Sequence, residues 1–183
     1  MIHFPEIVLS CVLMIGCFYP EAALSQVTFT DVTGTATAGN SARGMGAAWG
    51  DYNNDGLPDL YVSNYKDKNI LYQNNGGGIF SDVADEAGVG NTDASADIAW
   101  GDYNNDGFLD LFLVNDVGPG YGAKKVLYKN NGDGTFTNVA KEAGVENIAF
   151  GIGVAWSDYN NDGYLDAFVT NNAHVMICDG QPN

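Results

Sequence analysis

The chain has 183 residues, enough for one domain, and its ordinary apolar content argues against global disorder. Its 23 acidic residues outweigh 7 basic ones and give a formal net charge of −16, which disfavours nucleic acid and anionic membrane surfaces as partners. Glycine contributes 24 residues, about twice the average share, as expected for a chain with many turns.

The N-terminal segment is a candidate export signal. Residues 7–18 form an apolar run too short to span a bilayer, and residues 23–25 offer small side chains for cleavage. We therefore expect residues 1–25 to be a signal peptide and residues 26–183 a secreted, periplasmic or cell-surface chain with no membrane span. The segment before the run lacks Lys and Arg, which leaves a buried strand as an alternative. A lipoprotein anchor at Cys17 is another, because residues 14–17 resemble a lipoprotein box.

An internal repeat organises the rest of the chain. The pattern Trp-(Gly/Ser)-Asp-Tyr-Asn-Asn-Asp-Gly occurs three times, with its first aspartate at Asp51, Asp102 and Asp158. A second pattern, Phe-(Thr/Ser)-(Asp/Asn)-Val, begins 22 residues before each of these aspartates. A period near 50 residues is typical of one β-propeller blade. We predict repeats at about residues 28–79, 80–135 and 136–183, the last incomplete because the pattern is lost after Asn172. The extra length of the second repeat falls in a loop around residues 117–120.

The local patterns predict short strands and tight turns. In chain order, we expect strands at 47–49, 60–63, 98–100, 111–114, 154–156 and 167–170. We expect single helical turns ended by glycine at 83–88 and 139–144, and a hairpin turn at 130–134. The predicted fold class is all-β, with about three four-stranded propeller blades. Because a ring needs at least four blades, we expect further blades in a larger ring, or self-association that completes it.

Each acidic loop carries oxygen-bearing side chains at alternate positions. Numbered from the first aspartate, positions 1, 3, 5 and 9 are Asp, Asn, Asp and Asp, and glycine at position 6 permits a sharp reversal. That reversal directs the carbonyl of position 7 towards the same point. The predicted ligands are Asp51, Asn53, Asp55, Leu57 and Asp59; Asp102, Asn104, Asp106, Phe108 and Asp110; and Asp158, Asn160, Asp162, Tyr164 and Asp166.

An all-oxygen set of this kind suits calcium. Magnesium requires a stricter octahedron, and zinc prefers His or Cys ligands, which are missing near the loops. We expect about three calcium ions, which would reduce the formal charge from −16 to −10. The loops are not EF-hands, because position 12 is Val62, Leu113 or Val169 instead of glutamate and both flanks are predicted strands. Hairpin turns that bind no metal are the alternative interpretation.

These patterns resemble the FG-GAP (also called VCBS) repeats of integrin α-chain propellers and of many secreted bacterial proteins. The resemblance covers roughly residues 28–172 and includes the Phe-Gly element at residues 150–151, although no proline follows it. The pairing of Phe-Thr-Asp-Val with Asn-Asn-Gly-Asp-Gly-Thr-Phe is most similar to bacterial relatives of the cartilage acidic protein group. The resemblance implies a calcium-bound hairpin in each blade and a ring of about seven blades.

The expected function is adhesion or the binding of an unidentified protein or carbohydrate ligand, with calcium in a structural role. We do not expect an enzyme, because the acidic loops repeat and His174 is the only histidine after the leader. The alternative is the propeller portion of a secreted carbohydrate-active enzyme whose catalytic residues lie outside this chain. The tryptophan before each loop is expected to be a core anchor, with an aromatic platform for sugars as the alternative.

Overall fold

A computed structural model describes residues 28–115, 124–146, 151–171 and 175–180. The chain divides into the units Met1–Thr30 and Asp31–Asn183. Only residues 28–30 of the first unit are described, and they form no strand. The predicted signal peptide, the candidate anchor at Cys17, the loop at residues 117–120 and His174 lie outside the described residues.

The second unit consists of three antiparallel sheets, after one short helix, α1 (Thr33–Ala36). The first sheet contains, in order, β1 (Gly44–Gly50), β2 (Asp59–Asn64), β3 (Ile70–Asn74) and β4 (Phe80–Asp82). The second contains β5 (Ser95–Gly101), β6 (Asp110–Asn115), β7 (Val126–Asn130) and β8 (Phe136–Asn138). The third contains β9 (Gly151–Ser157), β10 (Asp166–Asn171) and β11 (Val175–Cys178). Each sheet follows sequence order, so the all-β prediction with propeller-like blades is confirmed.

The alternation of side chains along a strand explains how the blades stack. In β6, Leu111 and Leu113 join the hydrophobic cluster shared with the first sheet. Their neighbours Phe112 and Val114 join the cluster shared with the third sheet. Every residue of β6 is therefore buried. The middle blade is covered on both faces, as expected when blades bury their surfaces against each other.

The first strands of successive blades lie side by side, β1 against β5 and β5 against β9. The indole of Trp100 donates a hydrogen bond to the carbonyl of Ala48 at 3.2 Å, and Trp156 donates to Ala99 at 3.3 Å. Glycine is needed opposite these rings, because a Cβ atom at Gly50 would lie 2.8 Å from Cδ1 of Trp100. Each of these two tryptophans therefore packs onto the preceding blade, as the core-anchor prediction requires. The prediction is wrong for Trp49, which is 60 % exposed because no described blade precedes it.

The sheets are out of phase with the sequence repeats by one strand. The Phe-(Thr/Ser)-(Asp/Asn) pattern forms β4 and β8, which are the last strands of their sheets. The segments that begin at Phe80 and Phe136 thus end one blade instead of starting the next. The pattern repeats with the same period at either end of a blade, so spacing alone does not fix the phase.

The third blade retains its third strand although the sequence pattern is lost there. Strand β11 pairs with β10 through Ala167–Cys178 and Phe168–Ile177. Backbone pairing needs no particular side chain, which is why a segment without the Leu-Tyr-x-Asn-Asn-Gly pattern still forms a strand.

The two predicted helical turns are present. The amide of Ala87 donates to the carbonyl of Val83 at 2.9 Å, and that of Ala143 donates to Val139 at 2.8 Å. Gly88 and Gly144 end these turns with φ angles of 76° and 72°. Among the described residues, no helix is long and apolar enough to cross a membrane.

Candidate metal centre

The three acidic loops share one conformation at positions 1 to 6. The position 1 carboxylate accepts two backbone N–H bonds, so that Asp51 holds the amides of Asp55 at 3.0 Å and Gly56 at 2.9 Å. Asp102 and Asp158 make the corresponding pairs of bonds in their loops. The position 6 glycines have φ angles of 86° to 90°, a region that non-glycine side chains rarely adopt. The predicted role of this glycine is confirmed.

Positions 3 and 5 lie against each other and meet position 1 at the backbone N–H of position 5. The Asn53 oxygen accepts the amide of Asp55 at 3.0 Å, and its nitrogen donates to the Asp55 carboxylate at 3.0 Å. The second and third loops repeat both bonds. In each loop, side-chain oxygens of positions 1 and 3 therefore share the backbone N–H of position 5.

The aspartate at position 9 is buried and belongs to the sheet. Asp59 is 0 % exposed and accepts the amides of Tyr52 at 3.3 Å and Asn74 at 2.8 Å. It therefore ties the start of its loop to β3. Asp110 makes the same connection to Tyr103 and Asn130, and Asp166 to Tyr159 and Gly180.

Burial makes the charge at position 9 unfavourable in two of the loops. Loss of solvation raises the pKa of Asp59 to about 6, although N–H bonds from Asn74 and Tyr52 oppose the shift; the carboxylates of Asp55 and Asp51 raise it further. The same causes raise the pKa of Asp110 to about 7. The loops thus hold negative charge that a nearby cation would stabilise.

The donor set fits calcium, but only after some rearrangement. No three described Asp, Glu, His or Cys side chains form a ready metal centre. The carboxylates instead accept backbone N–H groups, yet each carboxylate oxygen has two acceptor sites and keeps one after a single such bond. An all-oxygen set with three carboxylates and one amide suits a hard cation of flexible coordination.

The position 7 side chains pack against glycines of the neighbouring turn. A Cβ atom at Gly132 would lie 2.9 Å from the Phe108 ring. A Cβ atom at Gly76 would lie 3.8 Å from Cδ1 of Leu57. At Gly180 it would lie 3.3 Å from Cβ of Tyr164 and closer still to the backbone oxygen of Leu165. The role of the position 7 carbonyls as ligands stays a prediction.

The loops are also connected to each other through position 4, which the sequence reasoning missed. The side-chain amide of Asn54 donates a hydrogen bond to the Gly107 carbonyl at 3.0 Å. The side-chain amide of Asn105 donates one to the Gly163 carbonyl at 2.8 Å. Both asparagines have positive φ angles, 57° and 58°. The signal was available in the sequence, because an asparagine stands at this position in every loop and asparagine tolerates the left-handed region.

The tyrosines at position 2 behave differently along the array. Tyr52 is buried and packs near Phe136, with ring centroids 5.9 Å apart. Tyr103 is half-buried, and Tyr159 is 59 % exposed. The packing role predicted for this position holds where a following blade covers the ring.

Comparison with known proteins decides the family. The model of the FG-GAP-like repeat matches residues 51–113 and 114–169, each a segment that contains at least one acidic loop. The chain belongs to the FG-GAP repeat family.

FG-GAP relatives among curated proteins include cartilage acidic protein 1. The protein from Xenopus tropicalis is 32 % identical over 140 residues, which cover 69 % of this chain and 21 % of the relative. Those from Homo sapiens and Mus musculus are each 38 % identical over 86 residues, which cover 46 % of this chain and 12 % of the relative. This FG-GAP chain therefore spans about a fifth or less of the length of these relatives.

Proposed function

We propose that the chain is a calcium-stabilised FG-GAP propeller segment that binds a protein or carbohydrate ligand outside the cell, as in adhesion. The observation that carries the calcium assignment is the shared loop conformation. In all three loops, the position 5 carboxylate accepts a bond from the position 3 amide, and the position 1 carboxylate accepts the backbone N–H of position 5. The carboxylate at position 9 of each loop is buried. Like charges held this close repel each other, and a dication offsets that repulsion.

The role of calcium in this proposal is structural. Position 9 joins the first two loops to the third strand of their own blades and the third loop to Gly180, just after β11. Position 4 joins the first loop to the second and the second to the third. An ion held between positions 1, 3, 5 and 9 would therefore fasten the first hairpin of a blade to the rest of the array. Three similar sites favour a stabilising role over catalysis, and we propose no catalytic residue in this chain.

Thermal unfolding of the full chain tests the calcium assignment. An ion that binds only the folded state at ten times its Kd adds about 1.4 kcal/mol per site. Three occupied sites would raise the Tm by roughly 10 °C for a chain of this size. We expect that rise in millimolar calcium, reversal by EDTA and a smaller rise in magnesium. An equal Tm with calcium and with EDTA would overturn the assignment.

A triple variant supplies the control. Asp51→Asn, Asp102→Asn and Asp158→Asn keep an acceptor oxygen for one of the two loop amides and remove three carboxylates. The combined variant should fold in calcium-free buffer and lose most of the calcium-dependent rise in Tm. A full calcium-dependent rise in the Tm of this variant would show that the ions bind elsewhere.

Location outside the cell is proposed from the leader-like segment and the similarity to cartilage acidic protein 1. Mass spectrometry of the exported chain tests it. We expect a new N-terminus at Gln26, whereas a lipid-modified N-terminus at Cys17 would support the anchored alternative. Retention of residues 1–25 on a cytoplasmic chain would contradict export.

A further inference from the structure

The three acidic loops differ in one neighbouring residue, which lies on the third strand of the first two blades and directly after β11 in the third. In the sheet registers, Leu60 lies opposite Tyr72, Leu111 opposite Tyr128, and Ala167 opposite Cys178. Since each first-named residue directly follows the aspartate of position 9, the three pairs are structurally equivalent. The residues that come next along the chain are Gln73, Lys129 and Asp179.

The side chain at this place contacts its loop in the second and third blades. Lys129 Nζ lies 3.7 Å from the carboxylate of Asp106, which is position 5 of the second loop. Asp179 accepts a hydrogen bond at 3.1 Å from Asn160, which is position 3 of the third loop. Gln73 lines the same cavity as Asn53 in the first blade. One equivalent place thus carries a neutral, a positive and a negative side chain.

From this difference, and resting on the calcium proposal above, we propose that the residue at this place produces a grading of calcium affinity among the three loops. The third loop should bind calcium most tightly, the first less tightly, and the second most weakly. The Lys129 ammonium occupies space and supplies positive charge where a dication would bind, whereas the Asp179 carboxylate adds a fourth negative charge. A unit charge about 6 Å from a dication changes the Kd on the order of tenfold, even with water-like screening.

Isothermal titration of full chains with one intact loop measures each affinity separately. In each chain, the aspartates at positions 1 and 5 of the other two loops are changed to asparagine. Lys129→Gln should strengthen calcium binding by the second loop about tenfold, and Asp179→Asn should weaken binding by the third loop about tenfold. Lys124→Gln and Glu142→Gln are the matched controls, because they change net charge equally away from the loops. Lys124 instead pairs with Glu146.

The outcomes separate this inference from the calcium proposal. Absence of calcium binding in the unmodified chain would overturn both. Calcium binding with equal affinity in the three loops, or with Lys129→Gln indistinguishable from Lys124→Gln, would overturn the grading alone.

A second measurement avoids the multiply substituted chains, should these fail to fold. With all loops intact, Lys129→Gln should lower the calcium concentration that gives half of the total rise in Tm, and Asp179→Asn should raise the concentration at which the first increment appears. Unchanged titration curves for both variants would overturn the grading.

Discussion

At the scale of single residues, the buried aspartates Asp59 and Asp110 have two opposed effects. Each ties a loop to a neighbouring strand through two backbone N–H groups, and each is desolvated enough that its pKa is raised, to about 6 and about 7. The folded chain therefore binds more protons than the unfolded chain, in which aspartate has a pKa of about 3.9. The stability that these groups contribute is fully present below about pH 4 and is lost as pH rises through 6 to 7.

We accordingly expect the Tm in EDTA to fall between pH 5 and pH 8, and calcium to restore it most strongly at pH 8. Asp110→Asn should reduce the pH dependence in EDTA to the part that Asp59 contributes, since an amide cannot ionise. Asp67→Asn, at an exposed site, serves as the control and should leave it unchanged. A Tm in EDTA that rises over this range, for the unmodified chain, would contradict the expectation.

At the scale of elements, the asparagines at position 4 link each loop to the next. Asn54→Gly and Asn105→Gly retain the left-handed backbone but remove the amide that bonds to the following loop. Each should lower the free energy of unfolding by about 1 kcal/mol, the usual net worth of a hydrogen bond. Denaturant unfolding measures the difference.

Asn161→Gly is the matched control for these two variants. Asn161 has the same backbone conformation, φ 59°, but within the described residues its side chain makes no bond to another loop. The substitution should be close to neutral. Equal losses for all three asparagines would show that the left-handed residue itself, and not the link between loops, accounts for the effect.

At the scale of the whole molecule, stability depends on the contacts between blades. Phe112 of the middle blade is fully buried against the third blade, whereas Phe168 in the third blade is 42 % exposed. Phe112→Ala should cost about 3–5 kcal/mol, as for a buried phenylalanine. Phe168→Ala, on the uncovered face, should cost less than about 1 kcal/mol. Similar losses for the two variants, measured by calorimetry, would contradict this packing.

Much of the array was predictable from sequence because its signals are local. The apolar run at residues 111–114 lies within β6, and the glycines at position 6 have the positive φ angles that the loop pattern required. The phase of the blades was not predictable, because Phe80 and Phe136 recur with the same period whichever sheet they join. The contact of Lys129 with Asp106 and the bond from Asn54 to Gly107 depend on strand register and blade stacking. Neither contact can be predicted from the sequence of one segment.

The placement of the tryptophans makes contact between the blades detectable by intrinsic fluorescence. Trp100 packs against Gly50 and Trp156 packs against Gly101, each a glycine of the preceding blade. Trp49, in contrast, is 60 % exposed. Separation of one blade from the next would expose one indole to water and shift its fluorescence to longer wavelength, while the emission of Trp49 would change little. With Trp49 replaced by phenylalanine, the remaining emission would report, blade by blade, whether the array opens from one end or melts as a unit.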